Sequence, residues 1–217
     1  MTDASHITAI KATKRDPMRV SVYVDDRFVA SLPRERVADL GLSIGMAWDA
    51  AIAGPVAAAV QFDKALRDAL RLLNRRAYSS GELRDRLSRK EHDSATIDHV
   101  LAYLVERKFV DDRAYGRSVI AQSLAKKPAG RRFLQNKLYQ KRLPRPVADR
   151  LLDEADRGRD AVADAVELAQ KRLRTVALQR CDPAARRRRL WSLLCRRGFD
   201  GETAMAALSR LNLVDED

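Results

Sequence analysis

The chain has 217 residues, 46% hydrophobic, 33% charged and only 6% aromatic, with 42 Lys and Arg against 30 Asp and Glu for a formal charge of +12. That composition suits helices packed through Ala and Leu and argues against a sandwich of aromatic strands, while the surplus of positive charge favours a polyanionic partner, because each neutralised phosphate releases a counterion. No run reaches the roughly 20 apolar residues of a membrane span, the N-terminus lacks the order of a signal peptide, and Cys181 and Cys195 have no CxxC spacing; a cytoplasmic protein with reduced thiols and no membrane contact is expected.

In chain order, residues 7 to 32 alternate apolar and polar side chains, with Val20, Val22 and Val24 on one face and turn residues at "RDPM" and "DDR". Period two with such punctuation predicts a meander of three short strands. "PRERVADLGL" then fits a short helix that starts at Pro33 and stops at Gly41. "AWDAAIAGPVAAAV" (47 to 60), with Gly54 and Pro55, reads as an Ala-rich linker closing a module over residues 1–60. From residue 62 the period is helical. Leu66, Ala69, Leu70 and Leu73 form one stripe; Ser79 with Glu82 forms a capping box for a second helix; Ser94 caps a third, with Ile97, Val100, Leu101 and Leu104 as its stripe.

The frame Leu83, Leu87, Lys90, His92, Val100, Leu101, Leu104 returns 51 residues later as Leu134, Leu138, Lys141, Leu143, Leu151, Leu152, Ala155. It returns again after 56 more as Leu190, Leu194, Arg197, Phe199, Ala207, Leu208, Leu211. Such self-similarity predicts a mainly α protein: tandem three-helix repeats over 61–110, 111–157 and 158–217 in an elongated array, behind the small β-containing module. Asp111 or Asp112 caps the second copy's first helix, "KKPAG" and "LPRPV" divide it, and the third opens at Asp160 and restarts at Asp182-Pro183.

Nothing in the sequence supports catalysis. His6, His92 and His99 lack metal-ligand spacing, no glycine-rich phosphate loop is present, and the Asp111–Asp112 pair suits a helix cap. His92 falls at an apolar frame position and reads as a packing residue. No metal or cofactor is expected. Tyr78, Tyr103, Tyr115 and Tyr139 read as packing side chains rather than stacking platforms.

The basic residues carry more information. Arg186, Arg187, Arg188, Arg189, Arg196 and Arg197 crowd the third copy with little acid between them; at 100° per residue the run of four arginines cannot face one way, so at least one stem packs beside the stripe. Lys126, Lys127, Arg131, Arg132, Lys137 and Lys141 mark the second copy, and Arg75, Arg76, Arg84 and Lys90 the first. On equivalent helices these form a basic stripe able to follow a nucleic-acid backbone or a repeating acidic protein surface, without base-specific readout. A general nucleic-acid-binding helical-repeat protein is one reading.

A more specific reading comes from "ALRLLNRRAYSSGELRDRLSRK" (69–90), "IDHVLAYLVERKFVDDRAYGRSVI" (97–120), "KKPAGRRFLQNKLYQKRLP" (126–144) and "RRRLWSLLCRRGF" (187–199). Together they resemble the RecX family, modulators of the RecA recombinase. The residues that carry the likeness are Leu83, Leu87, Asp111, Asp112, Tyr115, Gly130, Leu134, Leu138, Gly198 and Phe199. The chain departs from the family pattern at Glu91-His92 and Lys108-Phe109, where glycine is common. The resemblance implies a non-enzymatic, monomeric regulator that lodges on the RecA–DNA filament, touching RecA and single- and double-stranded DNA. It further implies inhibition of RecA ATPase, strand exchange and co-protease activity, and promotion of filament disassembly.

Overall fold

A computed structural model of the chain describes residues 5–213. It divides into two compact units, Met1–Arg76 with Leu83–Phe109, and Ala77–Glu82 with Val110–Asp217. The protein is mainly helical, with a three-stranded antiparallel sheet near its N-terminus.

In the first unit, β1 (Ile7–Ala12), β2 (Arg19–Val24) and β3 (Arg27–Pro33) form the expected meander in the order β1-β2-β3. Asp25 and Asp26 both have positive φ, 45° and 59°, the backbone that a two-residue hairpin turn needs to follow the strands' right-handed twist. Val20, Val22 and Val24 are buried with Ile7, Ala30 and Leu32 against Val37 and Leu42, from α1 (Arg34–Asp39) and the turn after it, and against Val56.

Val56 corrects one expectation. Residues 47 to 60 are not a linker: α2 runs unbroken from Ala50 to Leu73 with Pro55 inside it. Asp49 caps it, accepting from the Ile52 amide at 3.1 Å, and alanine, the strongest helix former, fills the turns around Pro55. The proline forfeits one backbone bond, to the carbonyl four residues earlier, and cooperative growth with packing of Val56 on the sheet outweighs that loss. The boundary expected at residue 60 therefore lies inside a helix. The buried stripe of α2 is also turned from the expected one: Val56, Asp63, Ala65 and Ala69 are buried, with Leu66 and Leu70 half-buried. Asp63 is held by Arg19 of β2 at 2.8 Å, an ion pair that ties the sheet to α2.

Two further helices follow, α3 (Ser80–Ser88) and α4 (Ser94–Glu106). The cap of α4 is Asp93, not Ser94: its carboxylate accepts from the Thr96 amide at 2.8 Å. The second unit holds α5 (Asp112–Lys126), α6 (Arg131–Gln140) and α7 (Arg145–Arg157), then α8 (Ala161–Leu173), α9 (Val176–Gln179), α10 (Pro183–Arg196) and α11 (Gly201–Arg210). The single turn α9 occupies the α8–α10 connection, where the third copy's longer spacing is accommodated. α5–α7 close on Leu134, Leu138, Leu151 and Leu152. α8, α10 and α11 close on Leu190, Leu194, Ala207 and Leu208.

The frame is thus a burial pattern. Leu83, Leu134 and Leu190 are fully buried, as are Leu87, Leu138 and Leu194, and His92, Leu143 and Phe199 are buried five residues on. The spacing of five is set by one helix-ending motif. Phe199 N–H bonds the Leu194 carbonyl and Gly198 N–H the Cys195 carbonyl; the same pair of bonds closes α3 (His92 to Leu87, Glu91 to Ser88) and α6 (Leu143 to Leu138, Arg142 to Tyr139). This double bond requires a left-handed residue just past the helix, and Glu91, Arg142 and Gly198 have φ of 63°, 52° and 81°. α4 ends the same way on Lys108, φ 60°.

Candidate functional site

Within the second unit the repeats meet by backbone contact. The N-terminus of α6 docks on the turn after α10: the Gly130 amide donates to the Arg197 carbonyl at 2.9 Å and the Arg132 amide to the Gly198 carbonyl at 3.2 Å. A Cβ on Gly130 would overlap the Gly198 carbonyl, and one on Gly198 would overlap the Phe133 amide. One repeat earlier the arrangement recurs. Ser79 Oγ donates to the Lys141 carbonyl at 2.5 Å and accepts from the Glu82 amide at 3.0 Å, and a Cβ on Gly81 would overlap the Arg142 carbonyl. Asp112, beside the Asp111 cap of α5, accepts from both the Ser80 amide (2.8 Å) and its hydroxyl (2.5 Å). Tyr115 donates its hydroxyl to Glu82 at 2.9 Å. Within the second unit Gly130 and Gly198 therefore hold its two repeats together, while Asp112 and Tyr115 hold the segment Ser80–Glu82 that belongs to it.

Two basic grooves lie in this unit, the first beside the junction of the second and third copies and the second within the third copy. The first, about 400 Å³, is lined by Val119, Ser123, Lys126 and Lys127, by Phe133 and Lys137 of α6 with Lys141 at its C-cap, and by Arg197. Arg197 donates to the Pro128 carbonyl at 3.0 and 2.8 Å and to the Lys127 carbonyl at 2.8 Å, with its guanidinium 4.1 Å from the Phe133 ring centroid. Burial draws its pKa below the ordinary arginine value. The Lys137 ammonium is 5.4 Å from the same ring. The second groove, about 480 Å³, is lined by Arg172 of α8 and by Ala185, Arg188, Arg189, Ser192 and Arg196 along one face of α10, over Leu178 and Leu193. No carboxylate lines either groove among the described residues. Arg197 is half-buried with its guanidinium on backbone carbonyls, and the Lys141 ammonium lies 4.0 Å from Glu82. Lys126, Lys127, Arg172, Arg188, Arg189 and Arg196 are exposed, and exposed cations so arranged attract phosphate or carboxylate oxygens.

The remaining residues of the expected stripe are engaged elsewhere. Arg131 pairs with Asp156 and, at 2.7 Å, with Asp153; these bonds raise its pKa, Asp156 first. Arg84 pairs with Asp98, and Lys90 with Asp68 at 2.8 Å. Arg186 turns its guanidinium back on the carbonyls of Leu178, Gln179 and Cys181 around α9. Arg187 is half-buried, while Arg188 and Arg189 are exposed, so two stems of the run pack and two face water. Arg75, Arg76 and Arg132 are exposed. His92 is buried with Nε2 3.1 Å from Asp68, an aromatic packing residue with one polar partner. Tyr78 is buried and Tyr103 packs edge-on against Phe62. Tyr139, expected to pack, is instead 72% exposed, because Leu138 takes the inward position of that turn.

Sequence reasoning missed the pairing of Arg131 and the bond from Ser80 to Asp112, which depend on partners 22 to 32 positions away; Arg172 belongs to the basic stretch from Lys171 to Arg197 that the sequence shows. Among the described residues no cluster of three metal-ligating side chains occurs, and no helix is long and apolar enough to cross a membrane.

Fold and grooves define a helical-repeat protein with two basic grooves in its second unit. The Regulatory protein RecX N-terminal domain matches residues 5–49, and the RecX first three-helix domain matches residues 65–104. Regulatory protein RecX of Chlorobaculum tepidum is 40% identical over 139 residues, 64% of this chain and 82% of the relative. That of Clostridium tetani is 28% identical over 210 residues, 96% of this chain and 95% of the relative. A crystal structure of regulatory protein RecX aligns with TM-score 0.76 at 20% identity, over 94% of this chain and 99% of that one. RecX from Lactobacillus salivarius aligns with TM-score 0.61 at 18% identity, over 71% and 98%. The chain belongs to the RecX family of regulatory proteins.

Proposed function

We propose that this protein regulates homologous recombination by binding the RecA–DNA filament, where it inhibits the RecA ATPase, strand exchange and co-protease activity and promotes disassembly, without catalysis of its own. The observation that supports this reading most directly is the pair of basic grooves, whose linings gather Lys126, Lys127, Lys137, Lys141 and Arg197 in one and Arg172, Arg188, Arg189 and Arg196 in the other. In this reading the copies 61–110, 111–157 and 158–217 act as successive docking units. DNA phosphates neutralise the grooves, and affinity falls with salt at a log–log slope of about −0.9 per duplex phosphate.

The test is the DNA-dependent ATPase of RecA titrated with the protein, alongside binding to RecA-coated and naked DNA at about 0.15 M salt. The expected result is a slowed ATPase, with tighter binding to the coated strand. Arg188→Ala with Arg189→Ala weakens both and leaves the helical circular dichroism unchanged, because these side chains are exposed. An ATPase rate that does not move at saturating protein refutes the proposal. Binding to naked DNA as tight as to the filament supports the plainer reading, a general nucleic-acid-binding protein.

A further inference from the structure

The sheet of the N-terminal module buries one face only. Its register places Ala9 beside Tyr23, Lys11 beside Ser21, Ser21 beside Ser31 and Tyr23 beside Phe28, so these side chains share the face opposite Val20, Val22 and Val24. On that face the Tyr23 and Phe28 rings meet edge-to-face at 6.0 Å and 75°, and the Lys11 ammonium sits 5.5 Å from the Tyr23 centroid. Phe28 is 59% exposed. An aromatic side chain contributes most to folding when buried, so a ring standing in water beside a second ring and a cation is poorly accounted for by stability.

The chemistry of the face selects its occupant. Two adjacent rings on a strand pair held rigid from below offer π-surface to a flat, unpaired base. Lys11, with Lys14, Arg15 and Arg27 exposed around the sheet, offers charge to the phosphates either side of it, and Ser21 and Ser31 add hydroxyls. The acids between the strands, Asp16, Asp25 and Asp26, sit in the two turns of the sheet; Asp16 and Asp25 accept from the backbone amides of Met18 and His6. Stacking needs a base free of its partner, which a duplex does not present.

We infer that the outer face of this sheet, through Tyr23, Phe28 and Lys11, is a stacking site for single-stranded nucleic acid, separate from the grooves of the second unit. Phe28 takes the base, Tyr23 buttresses it, and Lys11 reaches the adjacent phosphate. Base–aromatic contacts of this kind are sequence-tolerant, and removing them weakens binding by about 10- to 100-fold per base.

The full chain carrying Tyr23→Ala and Phe28→Ala is compared with the unaltered protein by fluorescence anisotropy, using labelled oligo-dT and a labelled duplex. Lys126→Ala with Lys127→Ala serves as the groove variant. The inference requires the sheet variant to lose oligo-dT affinity about 10- to 100-fold while holding the duplex unchanged, and Phe28→Trp to retain oligo-dT binding. The groove variant weakens both ligands, so failure of the proposed filament reading registers separately. Unchanged oligo-dT affinity in the sheet variant, with duplex binding intact as proof of folding, overturns the inference and leaves the face to a protein partner. Equal loss of both ligands overturns it as well.

Discussion

Gly130→Ala tests the contact between the second and third repeats through the sign of its effect. Gly130 has φ −79° and ψ 170°, a conformation alanine adopts freely. Freed of its surroundings the substitution would stabilise the fold by about 0.4–1 kcal/mol, by narrowing the unfolded ensemble. In the structure the new methyl meets the carbonyl of Gly198 and the amide of Phe199, main-chain atoms that cannot swing aside as a side-chain tip can. Relief requires the start of α6 to withdraw. That overpacking costs about 1–3 kcal/mol and weakens the bonds from Gly130 to Arg197 and from Arg132 to Gly198, each worth about 0.5–1.5 kcal/mol. The expected loss is about 3 kcal/mol, or ~6–12 °C in Tm for a chain of this length. Urea unfolding followed by far-UV circular dichroism reads it, with Gly158→Ala, which meets nothing within 4 Å, as the neutral control. A Gly130→Ala midpoint at or above that of the unaltered protein refutes the docking of α6 on the α10–α11 turn.

Glu91 and Lys108 hold left-handed backbone without being glycine, so Glu91→Gly and Lys108→Gly are each expected to raise stability by about 0.5–1 kcal/mol, the relief of the Cβ penalty less the added chain entropy of glycine; a lower urea midpoint in both would contradict this. Asp68 predicts a pH dependence. The Lys90 ammonium first, then His92, holds its carboxyl below the usual aspartate value. A carboxyl with a depressed folded-state pKa contributes stability in full above its unfolded value of about 3.9, and loses it as pH falls through the folded value. Asp68→Asn should therefore be less stable than the unaltered protein at neutral pH, with the gap closing below about pH 4; a gap that persists undiminished at pH 3 excludes the mechanism.

What the sequence disclosed and what it hid divide along the range of the forces involved. The repeat frame was legible because Leu83, Leu134 and Leu190 are buried by their own copies at helical spacing, and the strands because Val20, Val22 and Val24 alternate. Caps were legible to within a residue: Asp160 and Asp182 stand where expected, whereas Asp93 displaces Ser94 because an aspartate one position earlier reaches the Thr96 amide. The helix through Pro55 was hidden, since a proline and a glycine in one window read as a break unless the sheet that packs on Val56 is known. For the basic residues the sequence supplied charge but not direction. Arg188 and Arg189 face water while Arg131 spends its charge on Asp153 and Asp156, a pairing set by where α7 lies.

Ser79, Gly130 and Arg186 occupy one position of the frame, and the difference among them governs how far the coupling propagates. A small residue lets the start of a second helix reach the backbone of the turn 62 to 67 positions on, as Ser79 does through its hydroxyl at the Lys141 carbonyl and Gly130 through its amide at the Arg197 carbonyl. Arg186 breaks that rule: its side chain is folded inward to cap α9. The third copy therefore receives Gly130 of the second on its α10–α11 turn and turns its own equivalent position, Arg186, inward onto α9.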